Sequence, residues 1–195
     1  VDCCARAERC IAIGPCLRVA VERCADILAG DERQVGVERP AHAAPPVVAV
    51  MVVHEPGEWF AETLASLAAQ DYPDLRLVAL LTSTTPPTVA DAIEAAVPAA
   101  LVRIVEGNPG FGPVANQVMA VVDGHDGFLL FLHDDVALQP DVVSQLVAEA
   151  FRSNAAMVGP KLVEWDTPSV LQHVGLDADR TGRLVDVVDP GERDQ

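Results

Sequence analysis

From Val47 onward, apolar residues recur in a rhythm that alternates between two periods. Val47–Val53 is an unbroken apolar run rich in valine, as expected of a strand covered on both faces. Residues 58–70 place Phe60, Leu64, Leu67 and Ala68 at helical spacing. The pattern then predicts a strand at 75–81, a helix at 86–97 opened by Pro86-Pro87, a strand at Leu101–Val105, and a helix at 113–122 with proline in its first turn. A fourth strand follows at 127–132, and a fourth helix at 140–152 carries Val142, Val143, Leu146 and Val147. Strands alternating with helices imply a mostly parallel sheet with right-handed crossovers and helices on both sides. Beyond Ser153 the rhythm shortens. Residues 155–158 and 162–164 read as short strands, and 170–176 with 183–188 flank an Asp179-Arg180-Thr181-Gly182 turn, a hairpin candidate.

Residues 1–45 follow another pattern. Pro15 could open a helix with Leu17, Val21, Cys24 and Leu28 on one face and Gly30 at its end. A polar stretch and then Pro40, Pro45 and Pro46 suggest a linker. The expected organisation is therefore a helical, cysteine-containing extension at 1–45 and an α/β domain at 46–195.

Composition narrows the function classes. The net charge of −16 argues against nucleic acid as a partner, because phosphate backbones are held by basic patches. An acidic protein that handles phosphates needs a cation between the two. No apolar run reaches the roughly 18 residues of a membrane helix, and no signal peptide is visible, so the expected location is cytoplasmic. All five cysteines, Cys3, Cys4, Cys10, Cys16 and Cys24, lie in the extension. Their spacing contains no C-x-x-C pair, which disfavours a zinc finger, and reduced thiols are the simpler reading.

The chemistry concentrates at the end of the fourth strand. Phe128-Leu129-Leu130-Phe131-Leu132-His133 runs into Asp134-Asp135, and open α/β sheets bind ligands at their carboxyl edge. Two hard oxygen donors there suggest a divalent cation. Neighbouring side chains of an extended segment point apart, so Asp134 and Asp135 are expected to have unequal roles. Gly110-Phe111-Gly112-Pro113-Val114-Ala115 also matches the dinucleotide fingerprint. It follows the third strand rather than the first, and Pro109 and Pro113 stiffen it, which suits close approach to a diphosphate poorly. Ser66, Ser83 and Ser144 lie in no nucleophile elbow.

Taken in order, these segments resemble the nucleotide-sugar-binding half of a family 2 glycosyltransferase with the GT-A fold, of bacterial type. The resemblance covers residues 47–195. It is carried by Val48-Ala49-Val50-Met51 leading to His54-Glu55, by Leu64-Ala65-Ser66-Leu67-Ala68-Ala69-Gln70-Asp71-Tyr72-Pro73, by Asn108, Gly110-Phe111-Gly112 and Asn116, and by Leu132-His133-Asp134-Asp135-Val136 before Pro140-Asp141. The last falls where the family carries its D-x-D-type motif.

The resemblance implies a Mg²⁺ or Mn²⁺ ion held by Asp135, with Asp134 on the nucleotide ribose or supporting the metal. It implies His54, Glu55 and Thr82 around the base, and Asn108, Gly110, Gly112 and Asn116 near the nucleotide. The implied reaction is inverting transfer from a nucleoside-diphosphate sugar to a saccharide or lipid-linked acceptor, placed in the cytoplasm or at the inner face of the membrane. Two departures stand out. Thr82-Ser83-Thr84 occupies the place where the family has a base-reading Asp. The family's general base is expected beyond Gln195; Glu192 and Asp194 are candidates only as nearby acids. The chain is accordingly expected to be truncated before its acceptor half and inactive alone. A dinucleotide-binding oxidoreductase domain and a non-catalytic interaction module remain as alternatives.

Overall fold

The computed structural model describes residues 10–20, 44–122, 127–181 and 183–194, with backbone alone for 10–20, 120–122, 176, 178, 184 and 186. In chain order the elements are β1 (Cys10–Ala20), β2 (Val47–Val53), α1 (Phe60–Ala68), β3 (Leu75–Thr82), α2 (Pro87–Ala96), β4 (Leu101–Val105), α3 (Phe111–Val122), β5 (Phe128–His133), β6 (Val136–Leu138), α4 (Val142–Ser153), β7 (Met157–Glu164), β8 (Leu171–His173), β9 (Leu176–Ala178) and β10 (Leu184–Asp186).

The centre is a four-stranded, all-parallel sheet in the order β4-β3-β2-β5. Every residue of β2 is buried. Its odd-numbered residues, Val47, Ala49, Met51 and Val53, join a core with Phe60, Leu64 and Leu67 of α1, Ile93 of α2 and Val142, Val143 and Leu146 of α4. Its even-numbered residues, Val48, Val50 and Val52, join a second core with Val78 and Leu80 of β3, Leu129 of β5 and Val114, Ala115 and Val118 of α3. The two-residue period of the strand thus sends alternate side chains into helix layers on opposite sides. This is the three-layer α/β/α architecture expected, with the helices and the four parallel strands of 47–153 close to their predicted bounds; the short strand β6 was not expected.

The sheet order reverses at β2. The chain steps from β2 to β3 to β4 on one side, then α3 carries it back to β5 on the other. Parallel strands that diverge in this way leave a crevice at their carboxyl ends. His54 follows β2, and Asp134 follows β5, so both lie at that crevice.

Two sequence expectations need correction. Cys10–Ala20, placed in a helical extension, is a strand. It pairs in parallel with β6 (Cys10↔Val136) and antiparallel with β7 (Ile11↔Val163). Two open strand edges offer this segment backbone partners that local helical spacing does not reveal. Pro15 lies opposite Pro160 beside a register shift, where missing N–H groups cost least. The remainder of the proposed helix, including Val21, Cys24 and Leu28, lies outside the described residues. Second, the short strands expected at 155–158 and 162–164 are one strand, β7. The hairpin expected between 170–176 and 183–188 also shifts: its first arm is instead β8, antiparallel to β7, and the strand that pairs with β10 is β9, starting at Leu176. Asp179 Oδ1 accepts the Thr181 hydroxyl and the backbone N–H groups of Thr181 and Arg183, and these bonds hold its carboxyl below the ordinary range.

The buried centre of β2 supplies a stability test. Met51, 0% exposed between β3, β5 and the helices, is expected on change to Ala to cost about 2–5 kcal/mol by lost burial and a residual cavity. Urea denaturation would register this as a lower midpoint, and an unchanged midpoint would contradict the packing described.

Candidate functional site

The site is assembled at three strand ends. After β5 the chain turns through Asp134-Asp135 into β6. The backbone N–H of His54 donates to Asp134 Oδ2 at 3.3 Å, across the crevice between β2 and β5. His54 Nδ1 lies 2.8 Å from Thr82 Oγ1 at the end of β3. Thr82 is 1% exposed. Its hydroxyl also contacts Thr84 Oγ1 and Thr85 Oγ1, each at 3.1 Å. Thr82 thus reaches the crevice by holding His54. Glu55, exposed beside it, has a φ of +52°, a conformation that a non-glycine residue adopts only when its surroundings impose it.

The Gly-Phe-Gly turn approaches from the α3 side. Phe111 stacks on His133 with ring centroids 4.4 Å apart and planes 18° apart, so the start of α3 is tied to the residue before the acidic pair. Asn108 Oδ1 accepts the Gly110 N–H at 3.3 Å and shapes the turn. Gly110 requires its glycine for a φ of +91°. Gly112 is exposed, and a Cβ there would meet nothing within 4 Å. Asn116 lies exposed on the second turn of α3. The turn follows β4, the edge strand, and not β2 at the sheet reversal. A dinucleotide reading would need the opposite placement.

The segment Ser66-Leu67-Ala68-Ala69-Gln70-Asp71-Tyr72 has a structural role that sequence reading did not assign. Ser66 Oγ accepts the Leu138 N–H at 3.0 Å. The Gln70 amide donates to the carbonyls of Ser66 and Gln139, at 3.0 and 2.8 Å, and accepts the Val143 N–H at 3.2 Å. Asp71 N–H donates to the Pro140 carbonyl at 2.9 Å, and its carboxylate accepts the Ser144 hydroxyl. Tyr72 OH reaches the Pro45 carbonyl before β2. The Asp141 side chain makes no cap bond to the α4 backbone, so Gln70 satisfies a helix-start donor from outside. These bonds fasten β6 and the start of α4, and so limit the freedom of the turn carrying the acidic pair.

Burial pushes the Asp134 carboxyl above its ordinary pKa, and repulsion from Asp135 adds to this, while the His54 N–H pulls the other way. The pair is therefore short of positive charge. Among the described residues no group of three or more His, Cys, Asp or Glu side chains gathers as a metal cage. Two adjacent carboxylates fit Mg²⁺ or Mn²⁺, which retain waters and share ligation with substrate phosphates. Of the five cysteines, only the backbone of Cys10 and Cys16 is described.

The family model for glycosyl transferase family 2 matches residues 48–182. The chain belongs to glycosyl transferase family 2. This is the family that its ordered motifs resemble. None of the curated proteins compared matches it. Among solved structures, Staphylococcus aureus TarS aligns at 19% identity and a TM-score of 0.47, over 56% of this chain and 20% of that one. A 1–349 form of TarS in complex with UDP gives the same identity and TM-score, with 33% of that chain covered. The mannosyltransferase PcManGT of Pyrobaculum calidifontis, in complex with GDP-Man and Mn²⁺, aligns at 17% identity and a TM-score of 0.43, over 58% of this chain and 36% of that one. The chain therefore spans roughly a fifth to a third of these structures' lengths. No helix among the described residues is long and apolar enough to cross a membrane.

The two nearby acids, Glu192 and Asp194, lie beyond the matched residues and are engaged elsewhere. Lys161 Nζ holds Asp194 through both oxygens, at 2.7 and 2.5 Å. Glu192 Oε2 accepts the Asp189 N–H at 3.0 Å.

Two measurements test this geometry. Gln70→Ala is expected to cost about 1–3 kcal/mol, since it leaves the Val143 N–H and two carbonyls without their partner; urea unfolding that is unaltered would contradict the clamp. For Asp134, a raised native pKa means that ionisation opposes folding above that pKa, and the penalty fades as pH falls toward the unfolded value. Without divalent cation, Asp134→Asn should therefore melt slightly higher than the parent at neutral pH. The gap should close in acid, and a lower neutral melting temperature would count against the burial described.

Proposed function

We propose that residues 46–195 form the donor half of a glycosyltransferase and bind a nucleoside-diphosphate sugar through a divalent metal. The observation that carries this reading is the meeting of Asp134-Asp135 with His54 at the sheet reversal, joined by the His54 N–H to Asp134 bond. Asp135 binds the metal directly. Asp134, already engaged by the His54 backbone, supports it and faces the ribose. The diphosphate lies over the turn between β5 and β6, with the Gly110–Gly112 turn beside it. His54 and Glu55 border the base, and Thr82 positions His54. Asn108 orders the Gly110 turn, and Asn116 lines the outer end of the nucleotide groove.

The transfer is inverting. A base removes the proton of an acceptor hydroxyl on a saccharide or lipid-linked substrate. The oxygen attacks the anomeric carbon from the face opposite the leaving diphosphate. Bound Mg²⁺ or Mn²⁺ would stabilise the charge that develops on that diphosphate. Neither nearby acid is offered as the general base in this reading, because Asp194 is paired with Lys161 and Glu192 is held in its own turn. Residues 1–45 form a separate extension in this reading, although Cys10–Ala20 adds a strand beside β6 and β7.

Titration calorimetry with Mn²⁺ and UDP, GDP and dTDP in turn is expected to show binding of at least one of them. Binding should require the metal, and Asp135→Ala should remove that requirement along with most of the affinity. Failure of all three nucleotides to bind folded protein would reject the donor site. Binding that is equally tight in EDTA would reject the metal. No sugar transfer is expected from this chain alone, and measurable turnover would place the base within it.

A further inference from the structure

The hydroxyl groups behind His54 decide which of its ring nitrogens carries a proton. Thr85 Oγ1 donates its only hydrogen to the Val53 carbonyl at 3.1 Å. The Thr82–Thr85 contact, oxygen to oxygen at 3.1 Å, then needs Thr82 as the donor. With the Thr82 hydrogen engaged there, the 2.8 Å contact between Thr82 Oγ1 and His54 Nδ1 needs the hydrogen on Nδ1. Thr84 Oγ1 lies 3.1 Å from Thr82 Oγ1 and 3.3 Å from His54 Nδ1; it donates to the remaining lone pair of Thr82 and faces the Nδ1 hydrogen as a second, longer acceptor. Four hydrogens then serve these contacts, one more than the three hydroxyls supply when Nδ1 is bare. With Nδ1 bare, Thr82 would turn its hydrogen to the ring, and the Thr82 and Thr85 oxygens would face each other with none between them. Thr82 is 1% exposed, so water does not repair that loss.

A neutral imidazole with its hydrogen on Nδ1 has a free lone pair on Nε2, at the far side of the ring. Nδ1 faces buried Thr82 and the His54 side chain is exposed, so Nε2 is turned outward at the end of β2. We infer that His54 Nε2 is a hydrogen-bond acceptor that reads the donor's base. It accepts the imino N–H of uracil, thymine or guanine. Adenine and cytosine present a lone pair at the corresponding ring nitrogen and are disfavoured. The end of β3 supplies hydroxyls at Thr82, Ser83, Thr84 and Thr85 and no carboxylate, and a bare imidazole nitrogen is a stronger acceptor than a hydroxyl. Thr85 and Thr82 are positioning residues that set the tautomer. This inference rests on the donor-site reading above.

The test has two arms. Long-range ¹H–¹⁵N correlation of the His54 ring in the ligand-free chain, at a pH where the ring is neutral, should show the Nδ1–H form. Thr85→Val should shift the population toward Nε2–H, and Thr85→Ser should restore it. In calorimetry with Mn²⁺, the tightest binder among UDP, dTDP and GDP should bind about 10-fold or more tightly than its imino-N-methyl derivative. His54→Ala should erase that difference. An Nε2–H ring in the parent chain overturns the inference. So does tight binding of the N-methyl derivative, or a methyl penalty that persists in His54→Ala. Failure of every nucleotide to bind overturns the donor site itself and this use of Nε2 with it, whereas binding without imino sensitivity overturns only the inference.

Discussion

Strand β2 hydrogen-bonds to β3 along one edge and to β5 along the other, while its alternate side chains enter different helix layers. A strand enclosed on four sides leaves only its ends accessible. Its amino end is tied by Tyr72 OH to the Pro45 carbonyl, so the carboxyl end is the part that can meet a ligand. The reversal of strand order at β2 separates the loops that leave β2 and β5 in opposite directions, and it opens the crevice where His54 and Asp134 meet.

The acidic turn is then stabilised from outside the crevice. A turn bearing two adjacent carboxylates repels itself and is penalised by partial burial, which the raised pKa of Asp134 reflects. The Ser66–Tyr72 segment offsets this by fixing β6 and the start of α4: Leu138 through Ser66, Gln139 and Val143 through Gln70, and Pro140 through Asp71. Phe111 against His133 braces the preceding side. The proposed cation would offset this repulsion, and the proposed nucleotide diphosphate is an anion that would be held through it. On this view the net charge of −16 and a phosphate-bearing substrate are compatible.

Most of the sheet and helix assignments were legible because burial imposes periodicity. A strand covered on both faces must be apolar throughout, as Val47–Val53 is, and α4 must show Val142, Val143 and Leu146 on one stripe. The Asp134-Asp135 position was legible for a related reason, since charged residues cannot continue a buried strand. β1 was not legible. Its pairing to β6 and β7 depends on edges that come together only in the fold, and its glycine and proline suggest a break in structure rather than a strand. The run Thr82-Ser83-Thr84-Thr85 was visible as a cluster of hydroxyls, yet nothing in it indicated that Thr82 would hold an imidazole.

Order along the chain determined the layers, the family and the residues proposed to bear chemistry, because local spacing and ordered motifs are properties of the sequence. Tertiary structure alone decided how those residues act on one another. His54 and Asp134 are 80 positions apart, and Gln70 and Val143 are 73 apart. Hydrogen bonds are effective only over about 3 Å, so contacts between such distant positions exist only once the sheet has closed. The proton arrangement that leaves His54 Nε2 bare is of the same kind, because it depends on three hydroxyls and a carbonyl gathered from two strand ends.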